Sequence, residues 1–274
     1  ETFSAVIDDL GVRQFRIPVY WSEVEPADGT YRFDDLDWMM AQAESHGAKV
    51  TLAIGAKVPR WPECYIPDWA KTGAYPFDRS KLDDFLTTTV KRYQASPALV
   101  RWQVENEPFF NFGVCPNSDP EQIDHEIALV RALDARPVMM TVSGELEAWT
   151  PSAKRADVLG FSLYRTAWNA KVGYIRYPIP AWFYRLRASF VRAFVGDVII
   201  SELQTEPWLP VDVHDRAPAD WYPLFTAEDL ERNVEYAART GIPEADLWGA
   251  EWWYYLKQNG EPRLWDEARK IFKK

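Results

Sequence analysis

The sequence predicts a parallel α/β protein of the (β/α)8-barrel class. Strand-like apolar runs alternate with amphipathic helical runs without a break along 274 residues. Continuous apolar strands between such helices mean a parallel sheet covered by helices. The long connections, 55–79, 107–119, 164–179 and 203–225, all follow strands, while helix-to-strand links are short. Barrels gather their functional loops at strand carboxyl ends, which gives this asymmetry. A doubly wound open sheet, the alternative, usually begins with a Gly-rich first turn, and none is present.

The elements follow in order. Residues 2–10 read as a helix stopped by Gly11, and 12–19 as a strand. Asp34 is a candidate N-cap for a helix with Leu36, Met39, Met40 and Ala43 on one face, ended by Gly47. Residues 48–54 form the next strand. Ser80 opens a helix carrying Leu82, Phe85, Leu86 and Tyr93, followed by a strand over 99–106. Then come a helix at 120–135, a strand at 137–142, a short helix at 145–154 and a strand at 157–164. A helix at 180–195 leads to a strand at 197–202. Thr226 caps a helix with Leu230, Val234 and Ala237, stopped by Gly241. A strand at 245–253 and a helix at 263–272 complete the pattern. Seven strands is one short of the class, so the first strand is expected upstream, outside this chain, with residues 1–274 a single domain.

Composition narrows the function. A hydrophobic share of 47% with 26% charged residues is ordinary for a globular protein. The 14 Trp exceed what a core alone usually needs, and an exposed Trp is a stacking platform for sugar faces. A formal net charge of −10 argues against nucleic acid as the partner. No phosphate loop is present, and the three His lack metal-ligand spacing, so neither a cofactor nor a metal is expected. No apolar run reaches membrane-spanning length. The segment 182–195 is amphipathic and carries Arg185, Arg187 and Arg192. It reads as a barrel helix with its apolar stripe on the sheet, the alternative being a helix lying on a membrane surface. Cys64 and Cys115 fall in loops that such a fold makes neighbours, so both a disulfide and two thiols stay open. A bridge favours a secreted or cell-surface location; free thiols favour the cytoplasm.

Two strands end in glutamates: the run 101–108 carries Asn106-Glu107-Pro108, and the run 197–204 carries Glu202. A carboxylate at the end of a buried strand is costly to desolvate and usually has chemical work there. Two of them meet the needs of glycosidic bond cleavage, one as proton donor and one as nucleophile or base.

With these motifs the chain resembles glycoside hydrolase clan A, the retaining (β/α)8 enzymes. Residues 15–21 resemble the second-strand segment of family 5 and its relatives, and 156–164 their sixth strand. The resemblance implies Glu107 as general acid/base, its pKa raised by burial and a neighbouring carboxylate, and Glu202 as nucleophile. Retention requires the two carboxyl groups roughly 5–5.5 Å apart. Arg16 is the candidate cation for the nucleophile, Tyr164 its steadying neighbour, and Asn106 the partner of the sugar hydroxyl beside the anomeric carbon. Trp253, or else Trp252, is the candidate subsite floor. Trp21, Trp61, Glu206 and Trp208 complete the expected sugar contacts, with Glu206 the replacement nucleophile if Glu202 is misassigned. Glu105 is expected inside the fold, paired with Arg16 or Arg101. Residues 54–57 lack the His that family 5 often carries, so Lys57, Trp61 and Glu145 are candidate substitutes for its sugar contacts. Residues 59–62 also resemble β-galactosidase-like members of the clan.

The expected activity is retaining hydrolysis of a β-linked glucan, mannan or galactoside. A carbohydrate-binding protein on a silent glycosidase fold and a transglycosylase are the alternatives. The sequence does not specify the oligomeric state.

Overall fold

A computed structural model describes residues 1–71 and 76–273. Residues 72–75 of the long segment 55–79 therefore lie outside the described residues. The strands are β1 (Gln14–Pro18), β2 (Lys49–Ile54), β3 (Leu99–Val104), β4 (Val138–Ser143), β5 (Val158–Leu163), β6 (Thr166–Asn169), β7 (Gly173–Arg176), β8 (Asp197–Gln204) and β9 (Ala245–Trp248). The helices are α1 (Thr2–Asp8), α2 (Trp21–Val24), α3 (Asp34–Ser45), α4 (Arg79–Tyr93), α5 (Pro120–Leu133) and α6 (Thr150–Ala153), then α7 (Ala181–Val191), α8 (Pro218–Trp221), α9 (Ala227–Thr240), α10 (Ala250–Gln258) and α11 (Arg263–Phe272). Among the described residues, seven strands make one sheet in the order β1-β2-β3-β4-β5-β8-β9, and β6 and β7 pair separately. Sheet order follows chain order, with none of the reversal that marks a doubly wound sheet. The fold is of the (β/α)8-barrel class, with seven of its strands among the described residues.

The chain divides into two compact units. One comprises residues 13–160 and 191–198. Here β1 to β4 pair in parallel, and the register sets Arg16 beside Thr51 and Thr51 beside Arg101. Strand parity then separates two faces. Trp102 and Val104 are fully buried on one, and Arg101 and Gln103 share the other. Thr51 accepts from Arg101 Nε at 2.9 Å, so the polar row is internally bonded. Asp78 and Asp119 accept from the Ser80 and Glu121 amides and cap α4 and α5.

The other unit comprises residues 1–12, 161–190 and 199–274. β8 and β9 pair in parallel, with Gln204 opposite Trp248. α9 begins with a full capping box between Thr226 and Asp229. Asp9, just past α1, accepts from Trp265 Nε1 at 2.8 Å and Arg269 Nη2 at 2.7 Å, tying α1 to α11. The Arg269 hydrogen bonds, above all, hold its carboxyl well below the usual range.

Three expectations are corrected. The strand read over 245–253 stops at Trp248, and the chain turns at Gly249 into α10. Gly249 has φ +140°, and a Cβ there would lie 2.9 Å from the backbone of Thr205, so only glycine fits. The run 250–258 buries Trp252, Trp253 and Leu256, a helical spacing that an aromatic-rich sequence hides. The helix read over 145–154 shrinks to α6. The segment 164–179, read as loop, contains the β6–β7 hairpin.

Candidate active site

Glu107 lies three residues past β3, in the unit built on β1 to β4. Its backbone is unusual: Glu105 and Glu107 have φ of +56° and +41°. Such left-handed non-Gly residues cost about 1–3 kcal/mol each and persist only where the surroundings over-determine them. The determinants are visible. Glu105 takes the amides of Ala56 and Lys57 on its two carboxylate oxygens, both at 2.6 Å. Its carboxylate fills the space over Gly55, where a Cβ would sit 2.3 Å from Oε1. These amides, not Arg16 or Arg101, are its partners. Lys57 Nζ donates to the carbonyls of Glu107 at 3.0 Å and Phe110 at 2.8 Å and faces Glu63 at 3.5 Å. This buried lysine braces the loop rather than reaching for sugar.

Asn106 is similarly fixed. Its Oδ1 accepts from Arg16 Nη2 at 2.9 Å, from Thr141 Oγ1 at 3.0 Å and from Gln103 Nε2 at 3.3 Å. Arg16 Nε also donates to Gln103 at 2.6 Å. The Glu107 amide donates to Thr141 at 2.9 Å. Thr141, on β4, thus holds both members of the Asn-Glu pair. Sequence reading missed it and Gln103, although their parity on inward-facing strand positions was available. Glu107 itself is 6% exposed.

Behind this segment lies a second acid. Glu126 of α5 is buried, takes Gln122 Nε2 at 3.0 Å on one oxygen and leaves the other without a hydrogen-bond partner. Burial first, then the Glu105 charge, raises its pKa well above the usual carboxylate value. Burial likewise pushes Glu105 up to about 7, against the pull of its two amide donors. A single proton shared by such a pair would remove the repulsion between the two carboxylates.

The segment after β2 contributes Trp61, 64% exposed, with its ring edge-on to Phe112. A disulfide joins Cys64 to Cys115, Cα to Cα 5.3 Å, and so links the segments that follow β2 and β3.

Glu202 lies in β8, in the unit with β9, and is 7% exposed. The Tyr164 hydroxyl donates to its Oε2 at 3.3 Å. The Tyr164 ring meets that of Trp208 edge-on at 5.8 Å. Gln204, two residues on and of the same parity, accepts from the Arg165 and Thr166 amides and returns a bond to the Thr166 carbonyl. The segment carrying Tyr164 is thereby pinned to β8. Glu206 and Trp208 are half-buried beyond the strand.

Two expected sugar contacts, Trp21 and the floor at Trp253 or Trp252, are corrected. Trp21 is wholly buried in α2, packed on Trp69, Phe77 and Phe85, with Nε1 bonded to Glu25. Trp253 is 1% exposed and donates to the Thr205 carbonyl at 2.7 Å. Trp252 is 7% exposed and stacks on Tyr255. All three are core. The half-buried indole at the carboxyl end of β9 is Trp248, which sequence reading passed over. The Gly after it was the available signal. Among the described residues no group of His, Cys, Asp and Glu is arranged to hold a metal ion.

Helix-covered parallel strands, an Asn-Glu pair after one strand and a second glutamate in a later one define the clan A class of glycoside hydrolases. Over residues 1–169 the sequence matches the cellulase family, glycosyl hydrolase family 5, and the chain belongs to that family. Its fold resembles a β-galactosidase from the psychrophilic Marinomonas ef1, with a TM-score of 0.67 at 14% identity over 99% of this chain and 56% of that one. It also resembles a family 5, subfamily 18 protein from Streptomyces cattleya in complex with Manβ1-4GlcNAc (TM-score 0.63, 16% identity, 90% of this chain and 64% of that one). An exo-β-1,4-mannosidase from Opitutaceae bacterium strain TAV5 gives a TM-score of 0.62 at 15% identity over 100% of this chain and 55% of that one. The chain thus spans little more than half the length of the Marinomonas enzyme.

Proposed function

We propose that this chain is a retaining β-glycoside hydrolase, with Glu202 as nucleophile and Glu107 as general acid/base. The observation that carries the reading is the contrast between two buried glutamates. Glu107 stands on a strained, over-braced turn, and Glu202 receives a tyrosine hydroxyl. Backbone strain and buried carboxylates concentrate where chemistry is done.

Glu202 attacks the anomeric carbon while Glu107 protonates the departing glycosidic oxygen, giving a covalent glycosyl-enzyme and a free aglycone. Water then attacks that carbon, Glu107 takes its proton, and Glu202 leaves as carboxylate. Tyr164 orients Glu202 and stabilises its negative charge. Asn106 has its Oδ1 saturated by Arg16, Thr141 and Gln103, which leaves Nδ2 as donor to a sugar hydroxyl. Arg16 acts chiefly by fixing that amide. Trp61, Trp208 and Trp248 offer aromatic faces to sugar rings, and Glu206 accepts from hydroxyls.

The substrate class we favour is a β-linked mannoside or galactoside, on the fold likeness to the mannosidase and the β-galactosidase. The disulfide supports a secreted or cell-surface location. A panel of aryl β-glycosides, with product stereochemistry followed by NMR, tests the proposal. Release of a β-product first is expected. An α-product first, or no hydrolysis of any glycoside, sinks it.

A further inference from the structure

Helix α7 carries two apolar stripes where a surface helix needs one. Tyr184 and Ala188, four residues apart, are wholly buried, and the Tyr184 ring stacks on Phe161. Trp182, Leu186 and Phe190 recur at the same four-residue interval and are 56%, 60% and 66% exposed. Residues at this interval lie one above another on one helix face. A row of three large apolar side chains facing solvent is unusual in a monomeric protein and marks an interaction surface.

Charge indicates what that surface meets. From Arg165 to Gly196 the sequence holds six cations and no Asp or Glu, in a chain of net charge −10. Arg165 is engaged with Tyr236 and the Ile179 carbonyl. Lys171, Arg176, Arg185 and Arg192 are exposed. Cations close in sequence to exposed Trp, Leu and Phe fit the headgroup region of an anionic bilayer, which takes apolar side chains at shallow depth and attracts basic ones. The helix spans 11 residues, so it can lie on such a surface but not cross it.

We infer that α7 docks this chain onto an anionic lipid surface, with Trp182, Leu186 and Phe190 entering the interface and Arg185 and its basic neighbours meeting the headgroups. The inference does not depend on the proposed hydrolase activity.

Flotation with vesicles of phosphatidylcholine alone, and of phosphatidylcholine with roughly 30% phosphatidylserine, tests it. The purified chain is expected to float with the anionic vesicles, to stay behind with the neutral ones and to detach in high salt. The variant W182S/L186S/F190S should lose more than about tenfold of its partitioning. R185Q/R187Q should lose part of it on anionic vesicles. The replaced side chains of the triple variant are exposed, so its circular dichroism melt should match the parent's. If the triple variant nevertheless melts early, the single variant L186S replaces it. Three results overturn the inference: no binding to anionic vesicles, binding that is equal with and without phosphatidylserine, or binding that survives the apolar substitutions. Light scattering that shows a dimer abolished by W182S/L186S/F190S also overturns it, because a second copy then covers the stripe.

Discussion

Lys57 Nζ donates to the backbone carbonyl of Glu107 at 3.0 Å, so the chain's candidate proton donor is held by a lysine 50 residues earlier. The same ammonium holds the Phe110 carbonyl and faces Glu63. A buried lysine is costly unless compensated, and here two carbonyls and a carboxylate compensate it. It fixes the turn that carries Glu107.

Lys57→Met keeps the aliphatic stem and removes the tether. A small displacement of a reacting group is enough to slow a reaction severely. The expected outcome is a fall in kcat of about 10- to 100-fold with little change in KM, read by steady-state kinetics. A rise in KM with kcat intact would place Lys57 in substrate binding instead.

Tyr164→Phe removes the hydroxyl that Glu202 accepts at 3.3 Å. Hydrogen bonds to charged groups contribute about 1.5–3 kcal/mol, so kcat is expected to fall by roughly 10- to 100-fold. Loss of glycosyl transfer should appear in the first, glycosylation step, as a smaller pre-steady-state burst. Unchanged kinetics would mean that the tyrosine serves packing alone.

The Glu105–Glu126 pair gives stability a pH dependence of definite sign. Burial raises both carboxyls above their ordinary value of 4.5, Glu105 to about 7. The native state therefore holds more protons than the unfolded chain across that window. The resulting stability is complete below the unfolded pKa and is lost as pH rises, by at most about 1.4 kcal/mol per pH unit for each proton. Glu126→Gln supplies a permanent neutral donor. Urea melts should then show the variant matching the parent at pH 5 and exceeding it at pH 8. Parallel profiles for the two proteins would show that no proton is held there.

The Cys64–Cys115 bridge closes a loop across a sequence separation of 51. Chain-entropy reasoning assigns such a loop about 4 kcal/mol. Cys64→Ala/Cys115→Ala should reduce unfolding free energy by up to that amount and loosen the loop that carries Trp61, with protease nicking as a second readout. A variant as stable as its parent would mean that the unfolded chain is already compact.

The alternation of strands and helices was legible because each element buries one continuous apolar face, and burial writes its period into the sequence. Both candidate catalytic glutamates stood out because a charge at the end of an apolar run is conspicuous. The errors have equally physical causes. Trp252 and Trp253 sit in a run whose aromatic density satisfies strand and helix alike, and only the φ of Gly249 decides between them. Trp21 follows a strand, as site residues do, but α2 turns it into the core. Strand parity marked Thr141 and Gln103 as inward-facing, but a hydroxyl and an amide inside strands reveal their partners only in three dimensions. The outward stripe of α7 was masked by the buried one, since a single period accommodates both.

The most direct test of the central claim is to trap the intermediate. A substrate analogue fluorinated at C2, with a good leaving group, should glycosylate the enzyme, expelling that group, and the fluorosugar should stay attached. Mass spectrometry of the digested protein is expected to find the sugar on the peptide bearing Glu202, on that carboxylate. An adduct on Glu206 would move the nucleophile, and turnover with inverted product and no adduct would contradict the double-displacement account.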